Sequence, residues 1–146
     1  MLKRYTFWLT AAVMFQFLTA LVHATSLFVS PEPANETERQ LQQIMTTYRP
    51  DLGPVFHPTV SNLMTALSSC FSLACLLGGL TLGFLLLKHA EPRLMRGIIG
   101  ANVIVFGIMF GVMFALAFLP PIICTGLIFV NLVGAFVFVP RDDSAY

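Results

Sequence analysis

Residues 60–87, VSNLMTALSSCFSLACLLGGLTLGFLLL, pass without a single Asp, Glu, Lys or Arg. A helix rises about 1.5 Å per residue, so roughly 20 apolar residues cross the hydrocarbon core of a bilayer, and this stretch is longer than that. Three further segments share its character, at about 6–29, 97–119 and 122–139, and none contains an Asp, Glu, Lys or Arg. Lipid cannot satisfy a backbone amide or carbonyl, so segments of this length must be helices there. The sequence therefore predicts an all-α membrane protein: one transmembrane domain, 1–146, built as a four-helix bundle.

Composition agrees with this reading. Of 146 residues, 57% are hydrophobic and 10% charged, against about 25% charged in soluble domains. A formal net charge of +1 with no basic block leaves no electrostatic case for nucleic acid. The cysteines Cys70, Cys75 and Cys124 form no CxxC pair and have no histidines at zinc-like spacing, so they count as small packing residues and predict no metal site. Cys70 and Cys75, five apart on a helix, point in different directions and do not favour a local disulfide.

Orientation follows from basic residues beside the span ends. Lys3 and Arg4 precede the first span, and Lys88, Arg93 and Arg96 fill the link between the second and third. Both sites should be cytoplasmic, placing the N-terminus and the tail Pro140–Tyr146 inside the cell. The link 30–59, with Arg39 and Arg49 against Glu32, Glu36, Glu38 and Asp51, then lies outside. Pro120–Pro121 is expected to form the outer hairpin between the last two spans. Val22-His23-Ala24 resembles a signal-peptide cleavage site, but the apolar run is longer than the about 7–15 residues usual for one, so a retained helix is expected.

Within the outer loop 30–59, after Pro31 and Pro33, Leu41, Ile44, Met45 and Tyr48 recur at one-face helical spacing. Asn35 can cap that helix, Glu38 stands where a capping box needs it, and Pro50 stops it. A short amphipathic helix is expected, lying on the bundle or bilayer surface or forming a lid over a pocket. The sequon Asn35-Glu36-Thr37 carries little weight.

Polar residues in the spans fall in patterns. Ala12, Gln16, Thr19, His23 and Ser26 share one face of the first span, with Gln16 near the midplane and His23 about 9 Å below the outer end. The second span opens with Ser61, Asn62, Thr65, Ser68, Ser69 and Ser72, at matching depths. These two stripes are expected to face each other. Gln16, Thr19, His23, Asn62, Thr65 and Ser69 are the candidate ligand-binding residues, as the polar groups of a mostly apolar outer-leaflet pocket; alternatively they bond one another and tie the helices together. Gly79 and Gly83, and Gly107 and Gly111, have small-xxx-small spacing that lets helices approach closely, and Asn131 could pair with Gln16.

Little chemistry is offered. His23 could be a proton relay, a metal or haem ligand, or a polar anchor, but only His57 lies on its side of the membrane and no span holds a carboxylate. No base accompanies Ser68 or Ser69 at a recognisable spacing, and no phosphate loop or carboxylate pair occurs. No enzyme and no cofactor are expected.

The first span ending in ALVHATSLF, the long outer loop, and HPTVSNLMTALSSCFSL opening the second span together resemble small four-helix bacterial membrane proteins of unknown function, distantly DoxX-like. Val22 stands where those proteins tend to have glycine, and no tryptophan follows the loop, Trp8 being the only one. The resemblance implies a four-helix bundle in a bacterial inner membrane and carries no activity. Function is then expected to be that of a non-catalytic integral membrane protein, an accessory or interaction subunit whose partners are the lipid bilayer and other membrane subunits or a second copy. The alternative is a binding protein or carrier for a lipid, quinone or other apolar small molecule.

Overall fold

The computed structural model describes residues 2–29, 32–53 and 55–140. Ser30, Pro31, the Lys3 side chain and residues 141–146 of the expected cytoplasmic tail lie outside the described residues. Five helices follow in order: α1 (Leu2–Ser26), α2 (Glu36–Thr47), α3 (Val60–Leu87), α4 (Pro92–Leu116) and α5 (Leu119–Phe138). Among the described residues there is no strand. Helices α1, α3, α4 and α5 are each long and apolar enough to cross a membrane.

The bounds of α3 match the uncharged run. Those of α5 correct an expectation: Pro120 and Pro121 lie in its first turn, and the chain breaks earlier, at Ala117 and Phe118, both extended. The first amides of a helix have no intrahelical acceptor, so a proline costs nothing there and its fixed φ suits the turn. Helix α1 ends at Ser26 instead of Val29; the last three residues continue it by bonds to the carbonyls three back, the tighter winding common at helix ends.

By its contacts the chain forms two compact units, one of residues up to Thr19 with those from Cys75 onward, the other Ala20–Ala74. In the first unit every neighbouring helix pair meets at a glycine. A Cβ built at Gly79 would lie 3.4 Å from Gln16 of α1, one at Gly78 3.2 Å from Asn102 of α4, one at Gly107 2.9 Å from Phe129 of α5, and one at Gly134 2.6 Å from Trp8 of α1. The four helical segments thus close a ring. Buried residues recur three and four apart on each: Leu9, Ala12, Gln16 and Thr19 on α1, and Ile128, Leu132, Ala135 and Val139 at the end of α5. This alternation is that of a seam along which helices pack side by side.

The α4–α5 hairpin shows how the register is fixed. Gly100 receives the ring of Phe136, Gly107 that of Phe129, and Gly126 of α5 that of Phe110. Each step along α4 is matched by an equal step back along α5, so three phenyl-into-glycine contacts define one antiparallel alignment. Phe110 and Phe129 also stack, centroids 6.0 Å apart. Close packing of this kind is how two apolar helices can be held together without exclusion of water.

The α3–α4 turn is closed by the C-cap bonds Ala90 N to Leu85 O and His89 N to Leu86 O. This Schellman arrangement puts His89 at φ 50°, a position glycine usually holds. His89→Gly is expected to stabilise the protein by about 1 kcal/mol and His89→Val to destabilise it, read from thermal unfolding in detergent.

Candidate functional site

The most unusual polar group is the amide of Gln16. Its residue is 0% exposed, because steps of three and four from Leu9 through Ala12 put it on the seam of α1. Neither Oε1 nor Nε2 has a hydrogen-bond partner. Both press against the bare backbone of Gly78, with Nε2 3.2 Å and Oε1 3.3 Å from where a Cβ would stand. On the other side of that glycine sits Asn102 Oδ1, also 3.2 Å from the same point. Asn102 spends its Nδ2 on its own helix, donating to Ile98 O at 2.9 Å, which leaves Oδ1 turned toward α3. Two amides from different helices therefore meet over the Gly78–Gly79 step. Such a locus can exchange hydrogen bonds, but it holds no group that titrates at ordinary pH.

The expected pairing of Gln16 with Asn131 does not form. Asn131 is buried and donates Nδ2 to Leu127 O at 2.7 Å on its own helix. Thr125, fully buried, likewise donates to Pro121 O. Thr19 is buried on the seam one turn beyond Gln16.

In the second unit His23 is half-buried and meets an aromatic ring, not a hydroxyl: Phe71 of α3, centroids 4.9 Å apart and edge-on. The expected partners are otherwise occupied. Ser69 donates to Thr65 O, Ser26 to His23 O, and Thr25 to Val22 O. Thr59 caps α3, its hydroxyl accepting from Asn62 N and donating to Asn62 Oδ1. Asn62 and Thr65 are exposed. Ser72 is the exception, buried with its hydroxyl unpartnered.

The expected cap of α2 is present. Asn35 Oδ1 accepts from Glu38 N at 2.9 Å, and Glu38 reaches back to Ala34 N at 2.7 Å. Beside that helix runs a groove of about 360 Å³, lined by Glu32, Leu41, Gln42, Met45, Thr46 and Ser61 among others. It lies between α2 and the start of α3. Among the described residues no three His, Cys, Asp or Glu side chains gather as a metal site.

Among the predicted packing glycines, Gly79, Gly83 and Gly107 meet neighbouring side chains, Gly83 through Val13. Gly111 does not: a Cβ there would meet nothing within 4 Å. Gly78, Gly126, Gly134 and the ring of Trp8 were not singled out by sequence reasoning. The equal spacings of Gly and Phe in 100–110 and 126–136 could have pointed to the α4–α5 pairs.

No protein-family model, curated protein or solved structure matches the chain.

Proposed function

We propose that this chain is a non-catalytic integral membrane protein that joins a larger assembly through α4. The observation that carries the reading is the face of α4 turned away from the core. Gly97, Ala101, Ile104, Ile108, Gly111 and Ala115 follow one another at steps of four and three, and all are exposed. Nothing lies within 4 Å of a Cβ built at Gly97 or Gly111. The core-side glycines of the same helix, by contrast, are filled by phenyl rings. Small residues facing lipid gain nothing there, but they let a second helix approach closely, so the favoured occupant is a helix of another membrane subunit or of a second copy.

Orientation in a cell membrane, with both termini cytoplasmic, is part of the proposal. One end of the first unit gathers cations on aromatic faces: Arg4 over Phe138 at 5.8 Å, Arg96 over Phe136 at 4.5 Å and Lys88 over Phe84 at 5.9 Å. Basic residues at one end of the spans favour the cytoplasmic side. The DoxX-like resemblance agrees with a bacterial inner membrane and adds no activity.

The test compares two substitutions on one helix. Gly111→Ile should abolish the associated species expected in mild detergent without lowering thermal stability, because a Cβ there meets nothing within 4 Å in the chain. Gly107→Ala, set 2.9 Å from Phe129, should lower stability by about 1–3 kcal/mol. A wild-type chain that remains monomeric under cross-linking in its native membrane would refute the proposal.

A further inference from the structure

The segment between α1 and α3 carries large apolar side chains that the chain does not cover. Leu41, Ile44 and Tyr48, at steps of three and four along α2, are 55%, 58% and 58% exposed, and Leu52, Val55 and Phe56 of the following link are 55%, 75% and 71% exposed. Helix α2 is held in place. The amide of Val60, the first residue of α3, donates to Tyr48 O at 3.3 Å, and Ser61 joins α2 in lining the groove. Glu38, Leu41, Gln42, Met45 and Thr46 therefore line the groove toward α3, and the exposed part of Leu41 continues with Ile44 and Tyr48 as the adjacent edge.

We infer that this edge of α2 lies in the interfacial layer of the outer leaflet, as a lipid-bound shelf at the head of α3. The inference rests on the proposed membrane placement and goes beyond it by naming what covers the loop. The bond from Val60 fixes the end of α2 at the first turn of a helix long and apolar enough to span, so the edge continues the apolar surface of α3 toward the headgroups. Its chemistry also selects the lipid. Charge is confined to the first turn, where Arg39 pairs with Glu36, and residues 40–47, QLQQIMTT, carry none. A basic amphipathic helix is drawn to anionic headgroups; this one has only buried apolar area to hold it, with the Tyr48 ring at its end. Zwitterionic lipid suffices, and anionic lipid adds nothing.

The experiment places a spin label on the full chain, with Cys70, Cys75 and Cys124 replaced, in phosphatidylcholine nanodiscs. Labels are introduced through Ile44→Cys, Tyr48→Cys, Gln43→Cys and Leu67→Cys. Collision with oxygen should exceed collision with a water-soluble nickel chelate at 44, 48 and 67, and the ratio should reverse at 43, on the opposite face of α2. Adding phosphatidylglycerol should leave the pattern unchanged. Labels at 44 and 48 that favour nickel, or that both reagents fail to reach because protein covers them, overturn the inference while 67 still reports a lipid-facing span. A label at 67 that favours nickel removes the membrane placement itself. Should the cysteine-free chain not fold, Tyr48→Trp in the native background gives the same reading: its added emission should be quenched by brominated phosphatidylcholine, and quenching by aqueous iodide instead would overturn the inference.

Discussion

Gly134→Ala is expected to be among the most damaging single-methyl additions in the protein. The new Cβ would lie 2.6 Å from Cδ2, 2.8 Å from Cε3 and 3.0 Å from Cγ of Trp8. These atoms are at the base of the indole, close to its attachment, so the ring cannot clear the methyl by swinging its far edge. Phe7 is set edge-on to the same ring with centroids 5.8 Å apart. Relief then requires α1 and α5 to separate, and overpacking of this kind costs about 1–3 kcal/mol, with the upper end expected here. Gly97→Ala supplies the contrast, because it adds the same methyl to an exposed helical site with nothing within 4 Å; it should be neutral or improve stability by up to about 1 kcal/mol. The measurement is equilibrium unfolding in mixed micelles. If the clash is the cause, shortening the indole as Trp8→Leu in the Gly134→Ala background should restore part of the loss, a coupling that distant sites do not show. Full additivity of the two changes would mean that Trp8 does not rest on Gly134.

What could be read from sequence, and what could not, divides by range of interaction. The uncharged run 60–87 became α3 with those bounds because length and polarity are local properties. Asn35 and Glu38 made their cap for the same reason, every partner lying within four residues. Pro120–Pro121 reads as a hairpin in sequence although the same lack of an amide hydrogen also suits a first turn, and only the extended pair Ala117–Phe118 decides between the two. The expected cross-helix hydroxyl contacts were least legible. Ser69, Thr125 and Ser26 each donate to a carbonyl three or four residues back, an option open to any helical hydroxyl, so a polar stripe need not have a polar stripe opposite it. Which residue meets Gly78 depends on how two helices slide past one another, and no local pattern in either reports that.

Gln16→Leu is expected to raise stability, by about 1–3 kcal/mol, because it removes a buried donor and acceptor that lack partners and replaces them with apolar atoms of similar volume. Leu fits the seam, whose neighbours Leu9 and Ala12 are already fully buried. The amide therefore costs stability where it stands, and a cost of this kind concentrates at sites that do something other than hold the fold together. Gln16→Leu should accordingly be more resistant to heat than the wild type and poorer in the activity or assembly the chain supports. Gln16→Glu should be the opposite control, since a carboxylate at that fully buried position loses its hydration and should destabilise the protein. Asn102→Leu separates two causes. If the amides act independently, its effect adds to that of Gln16→Leu; if they exchange a hydrogen bond over Gly78, each single change should be destabilising and the double change less so than their sum. Loss of stability in Gln16→Leu alone would refute the expectation and show that the amide is bonded in the folded protein. A gain in stability with undiminished assembly would leave Gln16 a plain defect of packing, and the site would carry no function.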